Sequence, residues 1–586
     1  MFSSAVKIDE LNDYLNLSEE CVLPVGKSGE AYEVKQRNQG GKAPNRLEPA
    51  TTDAETHRIV VGLSDCMTCS GCLTSSEDII LKDRGYDDIA RKIGRAEFAA
   101  VSIAPQTAFM FAATYDVTYR TAFRKLAYLL RRLGAKRVYT MDVAEAVALH
   151  EAKAEFREAI SAVLEPGARL RMQKGDPLTA DDIDHGLIGT DEGGPESEVD
   201  HPSLPIIAGH CPGWTTYAEK NLDASIVSKI SKVASSQQIQ GALIKTLGVL
   251  EHAADHIQGC VDYQDSPFGS RFRALEEILR RAGAHVKYNN LRVTPVYHVA
   301  TAPCYDKKIE AAHTQADLNL TNIYKRAGAH SDSGDVKLVD DVLSSADLQK
   351  IMQQHNLDFR TMPQAELDHV FSGKQAFLFS NLFQQHLPFP CSDGTYLRPG
   401  MKNSQSGGFA EEIMRFAAES IFQTGEVPEF TKTINADYQE ATLKVGGRSV
   451  LTFVLAYGFR NVQNIVQKLK RRSGPGHLGY VEVMACPGGC FNGAGQVLVP
   501  PPRSPGYFEA LLGRLDRGVA VEPTEKARQL YHSSSKYVDT GERTDVKAIT
   551  ATVIPTFSSL IGADLIAAHV RQRVASAKGS VASLKW

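Results

Sequence analysis

The segment VEVMACPGGCFNGAGQ, residues 481–496, places Cys486 and Cys490 on either side of Pro-Gly-Gly at the end of an apolar run. Glycine loses more conformational entropy on folding than other residues, so a dense glycine cluster indicates that the backbone must approach something closely. A metal centre, a phosphate or a tight turn would each explain the cluster. A phosphate loop is disfavoured, because no Gly-Lys-Ser or Gly-Lys-Thr follows the glycines.

The ten cysteines of this 586-residue chain are too few for a disulfide scaffold, and they are clustered. Cys66, Cys69 and Cys72 follow one another at three-residue spacing, which is typical of thiolates that wrap a cubane iron–sulfur cluster. No fourth cysteine follows the triplet closely, so Cys21, the remaining thiol of the N-terminal region, is the predicted fourth ligand. A zinc site or unliganded thiols are the alternative interpretation.

Cys211 and Cys304 each stand beside a proline where an apolar run ends. Taken singly, each is more often a buried structural thiol. In α/β folds, however, the carboxyl ends of the strands meet at one crevice, where ligands bind. The thiolates of Cys211, Cys304, Cys486 and Cys490 are therefore predicted to converge on a metal centre in that crevice.

Other residues of these segments fit the same interpretation. Gly488 and Gly489 would let backbone amides approach the sulfides of a metal centre, and Lys307 would offset the negative charge of four thiolates. Cys260 and Cys391 lack partners at metal-ligand spacing, so we expect them to be structural.

The order of apolar and helical segments predicts the fold class. Residues 97–106, EFAAVSIAPQ, predict a buried strand that ends at a proline. A helical stretch follows, ends at Gly134, and gives way to a second strand, RVYTMDV. This strand–helix–strand order predicts an α/β fold with a parallel sheet covered by helices. LPIIAGH at 204–210 and GYVEVMAC at 479–486 predict further strands.

Polar segments rich in Gly and Pro predict loops or surface excursions at 28–60, 166–203, 249–290 and 313–335. NVQNIVQKLKRR, residues 461–472, predicts a helix with one apolar face. The basic run at its end is compatible with a nucleic-acid patch. The helix dipole also favours cations at that end, and this second interpretation is preferred.

The composition is that of an ordinary globular protein, with 43% hydrophobic and 23% charged residues. A formal net charge of -4 gives no electrostatic case for binding nucleic acid or an anionic membrane. No apolar run approaches the ~18 residues that indicate a membrane span, and the first residues lack a signal-peptide pattern. A reducing compartment, the cytosol or the nucleus, is therefore expected.

Three cysteine segments resemble the cluster-binding motifs of iron-only hydrogenases: HCPGW at 210–214, PCYDKKIE at 303–310 and EVMACPGGC at 482–490. Supporting stretches are similar as well: SIAPQ at 102–106, SSQQIQGALIKT at 235–246, VDDVLSSADL at 339–348 and SGGFAEEIMR at 406–415. The resemblance covers about residues 95–500. It implies a two-lobed iron-only hydrogenase-like fold with a [4Fe–4S] cluster on Cys211, Cys304, Cys486 and Cys490 in the cleft between the lobes.

Within this family, the chain most resembles the eukaryotic non-hydrogenase branch of cytosolic iron–sulfur assembly factors, the nuclear prelamin A recognition factor-like proteins. The similar features are the N-terminal cysteine set, PCYDKK at 303–308, FRNVQNIVQKLKRR at 459–472 and a terminal tryptophan, Trp586. The branch implies a second [4Fe–4S] cluster on Cys21, Cys66, Cys69 and Cys72. It also implies a role in maturing cytosolic and nuclear iron–sulfur proteins.

The chain departs from the hydrogenase pattern at three positions. His210 stands where hydrogenases have a proton-relaying cysteine, Ala302 where they have a methionine, and Ala494 where a glycine is usual. The ferredoxin-like domains that feed electrons to many hydrogenases are reduced to one site. We therefore expect an assembly component without enzymatic activity. The alternatives are an active [FeFe] hydrogenase and a nuclear prelamin-binding interaction protein.

The resemblance also predicts partners, location and regions. The partners are a WD40-type subunit of the cytosolic targeting complex, docked through Trp586, iron–sulfur scaffold proteins and client apoproteins, with no nucleic acid or membrane. The location is the cytoplasm, with the nucleus as a second compartment. The regions are an N-terminal cluster region (1–94), lobe 1 (95–250), lobe 2 (251–500) and a C-terminal region with a flexible tail (501–586).

Overall fold

The computed structural model of the protein describes separate stretches of the chain. They are residues 85–183, 204–208, 210–245, 296–313, 337–368, 397–398, 408–471, 477–497, 523–534 and 536–537. All belong to one of the two compact units into which the chain divides, Ile80–Trp586. Several predicted features lie outside the described residues: Cys21, Cys66, Cys69, Cys72, Cys260, Cys391, Trp586 and the predicted loops at 28–60 and 249–290.

The helices and strands follow one another in mixed order. The named helices are α1 (Tyr86–Arg95), α2 (Pro105–Tyr115), α3 (Tyr119–Arg132), α4 (Asp142–Val163), α5 (Pro166–Lys174), α6 (Pro212–Asn221), α7 (Ala224–Val227), α8 (Asp306–His313), α9 (Ser345–Gln354), α10 (Phe409–Phe416), α11 (Phe459–Arg471) and α12 (Pro523–Ser534). The strands are β1 (Phe98–Ile103), β2 (Arg137–Thr140), β3 (Ile206–Ile207), β4 (Val296–Ala302), β5 (Asp341–Ser344), β6 (Leu397–Arg398), β7 (Thr431–Asn435), β8 (Tyr438–Val445), β9 (Arg448–Tyr457), β10 (His477–Met484) and β11 (Lys536–Tyr537). No helix in the described part of the chain is long and apolar enough to cross a membrane.

The first strand–helix–strand unit forms as the sequence predicts. β1 is buried along nearly its whole length, and Pro105 begins α2 soon after it. The side chain of Thr118 caps α3 by accepting a hydrogen bond from the amide of Thr121 at 3.2 Å. Gly134 then adopts a φ of 114°, which favours glycine, before the chain enters β2. The predicted strand at 97–106 and the helix end at Gly134 are confirmed.

The first sheet is parallel throughout. Its four strands lie in the order β2-β1-β4-β5. In register, Ser102 of β1 pairs with Tyr139 of β2 and with Ala300 of β4. Helices α2 and α3 pack against this sheet through buried aromatic side chains that include Phe109 and Phe123. The predicted parallel sheet with a helical cover is confirmed.

The second sheet is mixed. Its five strands lie in the order β3-β10-β9-β8-β7, with β3, β10 and β9 parallel and β9, β8 and β7 antiparallel. Phe156 of α4 packs on this sheet, with ring centroids 6.0 Å from Phe453 and 6.4 Å from Tyr480. The predicted strand at 479–486 is confirmed as β10, whereas LPIIAGH forms only the two-residue β3.

The two sheets do not follow the predicted lobe ranges 95–250 and 251–500. β3 comes from the first range but joins the second sheet, and β4 and β5 come from the second range but extend the first sheet. Parallel neighbours need long crossover connections, so strands that follow each other in sequence need not share a sheet. The predicted boundary at residue 94 falls inside α1, whose Ile89 and Ile93 are fully buried in the core around β1.

Part of the predicted excursion at 166–203 is a helix instead. Pro166 stands in the first turn of α5, and Gly175 follows its last residue with a φ of 86°. Proline at the start and glycine after the end are typical of a helix, and here they mark one rather than a loop. Residues 184–203 lie outside the described residues.

The basic run of α11 is paired with acidic side chains. Lys468 Nζ lies 2.9 Å from Glu440 Oε1, and Lys470 Nζ lies 3.1 Å from Asp223 Oδ2. The opposite face of the helix carries buried apolar residues, among them Ile465. Ion pairs within the protein therefore account for these two lysines, and the preference for the helix dipole over nucleic-acid binding stays a prediction.

Candidate metal centre

One cavity is lined by all four cysteines that the sequence predicts to converge: Cys211, Cys304, Cys486 and Cys490. They come from three segments, which follow β3, β4 and β10. Cys211 and Cys486 are buried, and Cys304 and Cys490 are partly exposed. The polar part of the lining includes Gln106, Glu145, Ser236, Gln237, Thr301 and Lys307.

Cys211 is the N-cap of α6, and its sulfur accepts a hydrogen bond from the loop that follows β10. The amide of Ala485 donates to Cys211 Sγ at 3.4 Å. Burial, followed by the negative charge of Asp306, raises the pKa of the Cys211 thiol, whereas the Ala485 amide and Lys307 oppose the rise. The Ala485 amide therefore favours the thiolate form, which is the form that binds metal.

Backbone pairing places Cys211 beside Cys486. Ile206 of β3 pairs with Tyr480 of β10, and the amide of Ala208 donates to the carbonyl of Val481 at 2.8 Å. The carboxyl ends of parallel neighbours lie at the same edge of a sheet. Both cysteines therefore leave the second sheet at one edge.

Cys304 comes from the first sheet, and glycines bring it to the loop of Cys490. The amide of Gly495 donates to the carbonyl of Pro303 at 3.0 Å. A Cβ at Gly493 would lie 2.4 Å from the same oxygen, and one at Gly495 would lie 3.2 Å from Cys304 Cα. Gly493 and Gly495 are therefore required because two backbone segments approach each other closely here. This close approach explains the glycines that follow Cys490 in the sequence.

Gly488 and Gly489 shape the turn between Cys486 and Cys490. Both are in the left-handed region, at φ 68° and 76°. The amide of Gly488 donates to Asp437 Oδ1 at 2.9 Å, and the amide of Gly489 donates to the carbonyl of Cys486 at 3.1 Å. These bonds hold the turn between the two cysteines, and the prediction that the glycines let backbone amides approach cluster sulfides stays a prediction.

The electrostatics of the cavity oppose ionisation of bare thiols. Burial raises the pKa of Cys486 well above its usual range, and the nearby Cys211, Cys304 and Cys490 raise it further. Burial also raises the pKa of Cys304, with Asp306 as the next cause. Several thiolates can coexist in this cavity only with compensating positive charge, which the irons of a bound cluster would supply.

Lys307 contributes positive charge at the site, as the sequence predicts. Its Nζ donates to Glu310 Oε2 at 2.8 Å and to the carbonyl of His210 at 3.4 Å. The charge of Lys307 lowers the pKa of Cys211 and of Cys304, against the larger effect of burial. This residue therefore favours thiolates in the cavity.

A group of residues that sequence reasoning missed supports His210. The His210 ring stacks on Phe409 with a centroid distance of 3.7 Å. The amide of Ala410, in the first turn of α10, donates at 2.9 Å to the buried carboxylate of Glu482, which also accepts from the Tyr457 hydroxyl at 2.8 Å. Burial raises the pKa of Glu482 to about 7. In the sequence, the one sign of this group is that Glu482 stands inside an otherwise apolar strand.

The donor set is compatible with an iron–sulfur cluster. No three His, Cys, Asp or Glu side chains among the described residues are arranged to hold a single metal ion. The four cysteines instead line a shared cavity, and four thiolates are the usual ligands of a cubane cluster.

Residues 190–260 and 277–494 match the family described as iron only hydrogenase large subunit, C-terminal domain. The chain is 30% identical over 503 residues to Protein NAR1 of Arabidopsis thaliana, with 85% of this chain and 84% of that protein covered. It is 28% identical over 544 residues to the cytosolic Fe-S cluster assembly factor narfl of Xenopus tropicalis, with 90% and 92% covered. A variant of the [FeFe]-hydrogenase HydA1 from Chlamydomonas reinhardtii has a similar structure, with a TM-score of 0.50, 16% identity, and 83% of this chain and 98% of that chain covered.

The structural likeness defines an α/β protein with the iron-only hydrogenase-like fold. Sequence identity to the relatives, over most of their length, then defines the branch. The chain belongs to the iron-only hydrogenase-like family of cytosolic Fe–S cluster assembly factors. The predicted fold class and the predicted family are both confirmed.

Proposed function

We propose that this protein is a component of cytosolic iron–sulfur protein assembly, which carries two [4Fe–4S] clusters and passes clusters to cytosolic and nuclear apoproteins without evolving hydrogen. The relatives in Xenopus tropicalis and Pongo abelii are named for cytosolic iron–sulfur assembly. The main structural support is the cavity that Cys211, Cys304, Cys486 and Cys490 line together.

Within the cavity, each residue has a distinct part in holding a cluster. The four cysteines would be the ligands, and a bound cluster would supply iron-bound sulfide that can be released or exchange electrons. The amide of Ala485 and the cation of Lys307 would stabilise the bound thiolates. The Phe409 ring, stacked on His210, would hold the residue next to Cys211 in place and exclude water.

The second cluster would bind to Cys21, Cys66, Cys69 and Cys72, which lie outside the described residues. Three of these ligands come from one seven-residue stretch, and Cys21 is separated from them by a polar Gly- and Pro-rich segment. Few apolar groups would oppose local opening of such a site. We expect brief air exposure to remove its EPR signal before that of the cleft cluster. Earlier loss of the cleft signal would contradict this order.

Hydrogen evolution is the rival activity, and the same cavity argues against it. His210 and Ala302, which replace the relay cysteine and the methionine of hydrogenases, both line the cavity with the cysteines. A hydrogenase also needs a diiron centre and a path for protons to it. Protein that evolves hydrogen, or that shows carbonyl or cyanide infrared bands after maturation, would overturn this part of the proposal.

The test of the assembly role is rescue of depleted cells. After depletion of the native protein, cytosolic iron–sulfur enzymes should lose activity, and expression of the wild-type chain should restore it. Cys304→Ala and Cys66→Ala chains should fail, whereas the matched Cys391→Ala chain should succeed. Rescue by both cluster variants would refute the role, and normal enzyme activity after depletion would favour the prelamin-binding alternative.

The predicted partner and location complete the proposal. Trp586 lies outside the described residues, and its large aromatic side chain would suit a pocket on the WD40-type subunit of the targeting complex. Deletion of Trp586 should weaken that association without altering the iron content. The protein would work in the cytosol and also in the nucleus, with scaffold proteins as cluster donors.

A further inference from the structure

A guanidinium group lies against the middle of the loop between Cys486 and Cys490. Arg528 Nη2 donates to the carbonyl of Gly488 at 3.2 Å, while Nη1 donates to Glu525 at 3.0 Å. A Cβ built on Gly488 would lie 2.1 Å from Arg528 Nη2. The guanidinium therefore occupies the space that any side chain at position 488 would need.

Gly488 is held by charged side chains at both of its backbone polar groups. Its carbonyl accepts from Arg528, and its amide donates to the carboxylate of Asp437. Hydrogen bonds to charged groups are about twice as strong as those between neutral groups. We call Arg528 and Asp437 the Gly488 clamp, since they fix a left-handed glycine that has no side chain of its own to pack.

The helix that carries Arg528 is itself packed on the core near the cavity. Ala527 of α12 is fully buried, and Leu530 packs against the core that includes α2. The ammonium of Lys526 contacts the carboxylate of Asp116 just after α2. Helix α12 also contacts the short 3-10 helix that begins at Cys490. The C-terminal region therefore reaches the ligand loop directly.

We propose that Arg528 is a positioning residue for the loop that bears Cys486 and Cys490, and that α12 controls how firmly this loop holds the cleft cluster. The consequence for the cluster rests on the proposed function, but the positioning of the loop does not. When α12 is docked, Arg528 fixes Gly488 and both cysteines stay at the cavity. When α12 is displaced, the loop loses one side of its clamp and the cluster becomes easier to remove.

The test measures hydrogen exchange in the loop of the full-length chain, first without a cluster. Arg528→Ala should speed exchange of the amides between 486 and 493 by about tenfold, which corresponds to loss of about one charge-assisted hydrogen bond. Arg528→Lys, which keeps the charge and one donor, should restore part of the protection. Gln529→Ala, at an exposed position of the same helix, should leave the loop unchanged. Equal exchange in Arg528→Ala and wild type, or an equal increase in Gln529→Ala, would overturn the proposal.

A double-mutant cycle separates positioning from general destabilisation. Gly488→Ala should displace Arg528 and speed loop exchange by itself, so adding Arg528→Ala should bring little further change. Two fully additive effects would contradict a direct interaction. This outcome does not depend on the Arg528→Ala chain folding perfectly, because exchange in the β8–β9 turn provides an internal reference.

A second arm loads the protein with iron under anaerobic conditions and follows iron loss to a chelator. Arg528→Ala should release iron from the cleft site several-fold faster, by the same loss of one hydrogen bond. If loop exchange changes as expected but the cleft holds no iron, the proposed function fails and the positioning role stands. If iron is bound but neither exchange nor release responds to Arg528, the positioning role fails and the proposed function stands.

Discussion

The two sheets contribute unequally to the cavity. The five-stranded sheet supplies Cys211 after β3 and Cys486 after β10, and the loop that follows β10 supplies Cys490. The four-stranded sheet supplies only Cys304, after β4. Three of the candidate ligands are therefore fixed relative to one another by the pairing of β3 with β10 and by one loop. The position of the fourth candidate ligand, Cys304, depends on how the two sheets meet.

This difference identifies the weak point of the site. Cys304 meets the other ligands where its loop touches the glycines after Cys490, through the hydrogen bond from the amide of Gly495 to the carbonyl of Pro303. A cluster bound to all four cysteines would tie the two sheets together. Changes at the contact between these loops should therefore have larger effects than changes inside either sheet.

The largest effect is expected at Gly493. Gly493→Ala would place a Cβ 2.4 Å from the carbonyl oxygen of Pro303, so the loop of Cys304 must move. We expect a loss of about 3 kcal/mol in the free energy of unfolding, typical of severe overpacking, together with loss of the cleft cluster. Gly479→Ala is the matched control, since its Cβ would meet the Leu451 side chain only at 3.5 Å. Similar denaturant midpoints for the two variants would contradict this account.

The next largest effect is expected from Glu482 in the five-stranded sheet, which should make the free energy of unfolding depend on pH. Its pKa is about 7 in the folded chain against a usual 4.5, so the folded chain binds more protons between these values. Stability should therefore fall as the pH rises from about 4.5 to about 7, and level off above that range. Glu482→Gln should remove this slope. Denaturant unfolding of the apo chain across the range measures it, and parallel profiles would refute the assignment.

The four-stranded sheet should show the opposite pH dependence through His298. Burial lowers the pKa of His298 to about 3, against a usual 6.5. The unfolded chain binds more protons between these values, so stability should rise with pH through that window and level off above about 6.5. His298 Nε2 lies 3.0 Å from Ser102 Oγ, and its Nδ1 lies 3.1 Å from the carbonyl of Leu338. His298→Asn should flatten the acid side of the profile, and His355→Asn, at an exposed histidine, serves as the control.

The smallest effect is expected at the surface of α11. The Lys470 ammonium pairs with Asp223 at 3.1 Å, and both side chains are largely exposed to solvent. Exposed ion pairs contribute little, so Lys470→Ala should change the free energy of unfolding by less than about 0.5 kcal/mol. It should also leave the affinity for nucleic acid unchanged. A large change in either quantity would revive the interpretation of this run as a nucleic-acid patch.

Local signals in the sequence were sufficient for single elements. The apolar run before Pro105, the helix end at Gly134 and the strand that leads to Cys486 each follow from residues that lie next to one another. That Cys211 and Cys486 leave one sheet at the same edge also follows from the sequence, because the carboxyl ends of parallel strands meet there. The approach of Cys304 does not follow from this rule, because Cys304 comes from the other sheet.

Long-range features were not predictable from the sequence. Which sheet β3 joins depends on pairing with β10, far away in the chain, and no local pattern carries that information. Glu482 and Arg528 act on backbone groups of distant segments, at Ala410 and Gly488, so their own sequence neighbours give no sign of the contact. Pro166 and Gly175 stand at the two ends of α5, which shows that proline and glycine can mark the ends of a helix as well as a loop.

The most direct test of the central claim is the iron and sulfide content of anaerobically purified protein, compared between wild type, Cys304→Ala and the control Cys391→Ala. Cys304 is the one candidate ligand from the four-stranded sheet, so its removal tests whether a cluster joins the two sheets. We expect about eight irons per chain in wild type and in the control, and about four in Cys304→Ala. Full iron content in Cys304→Ala, or zinc in place of iron in wild type, would contradict this expectation.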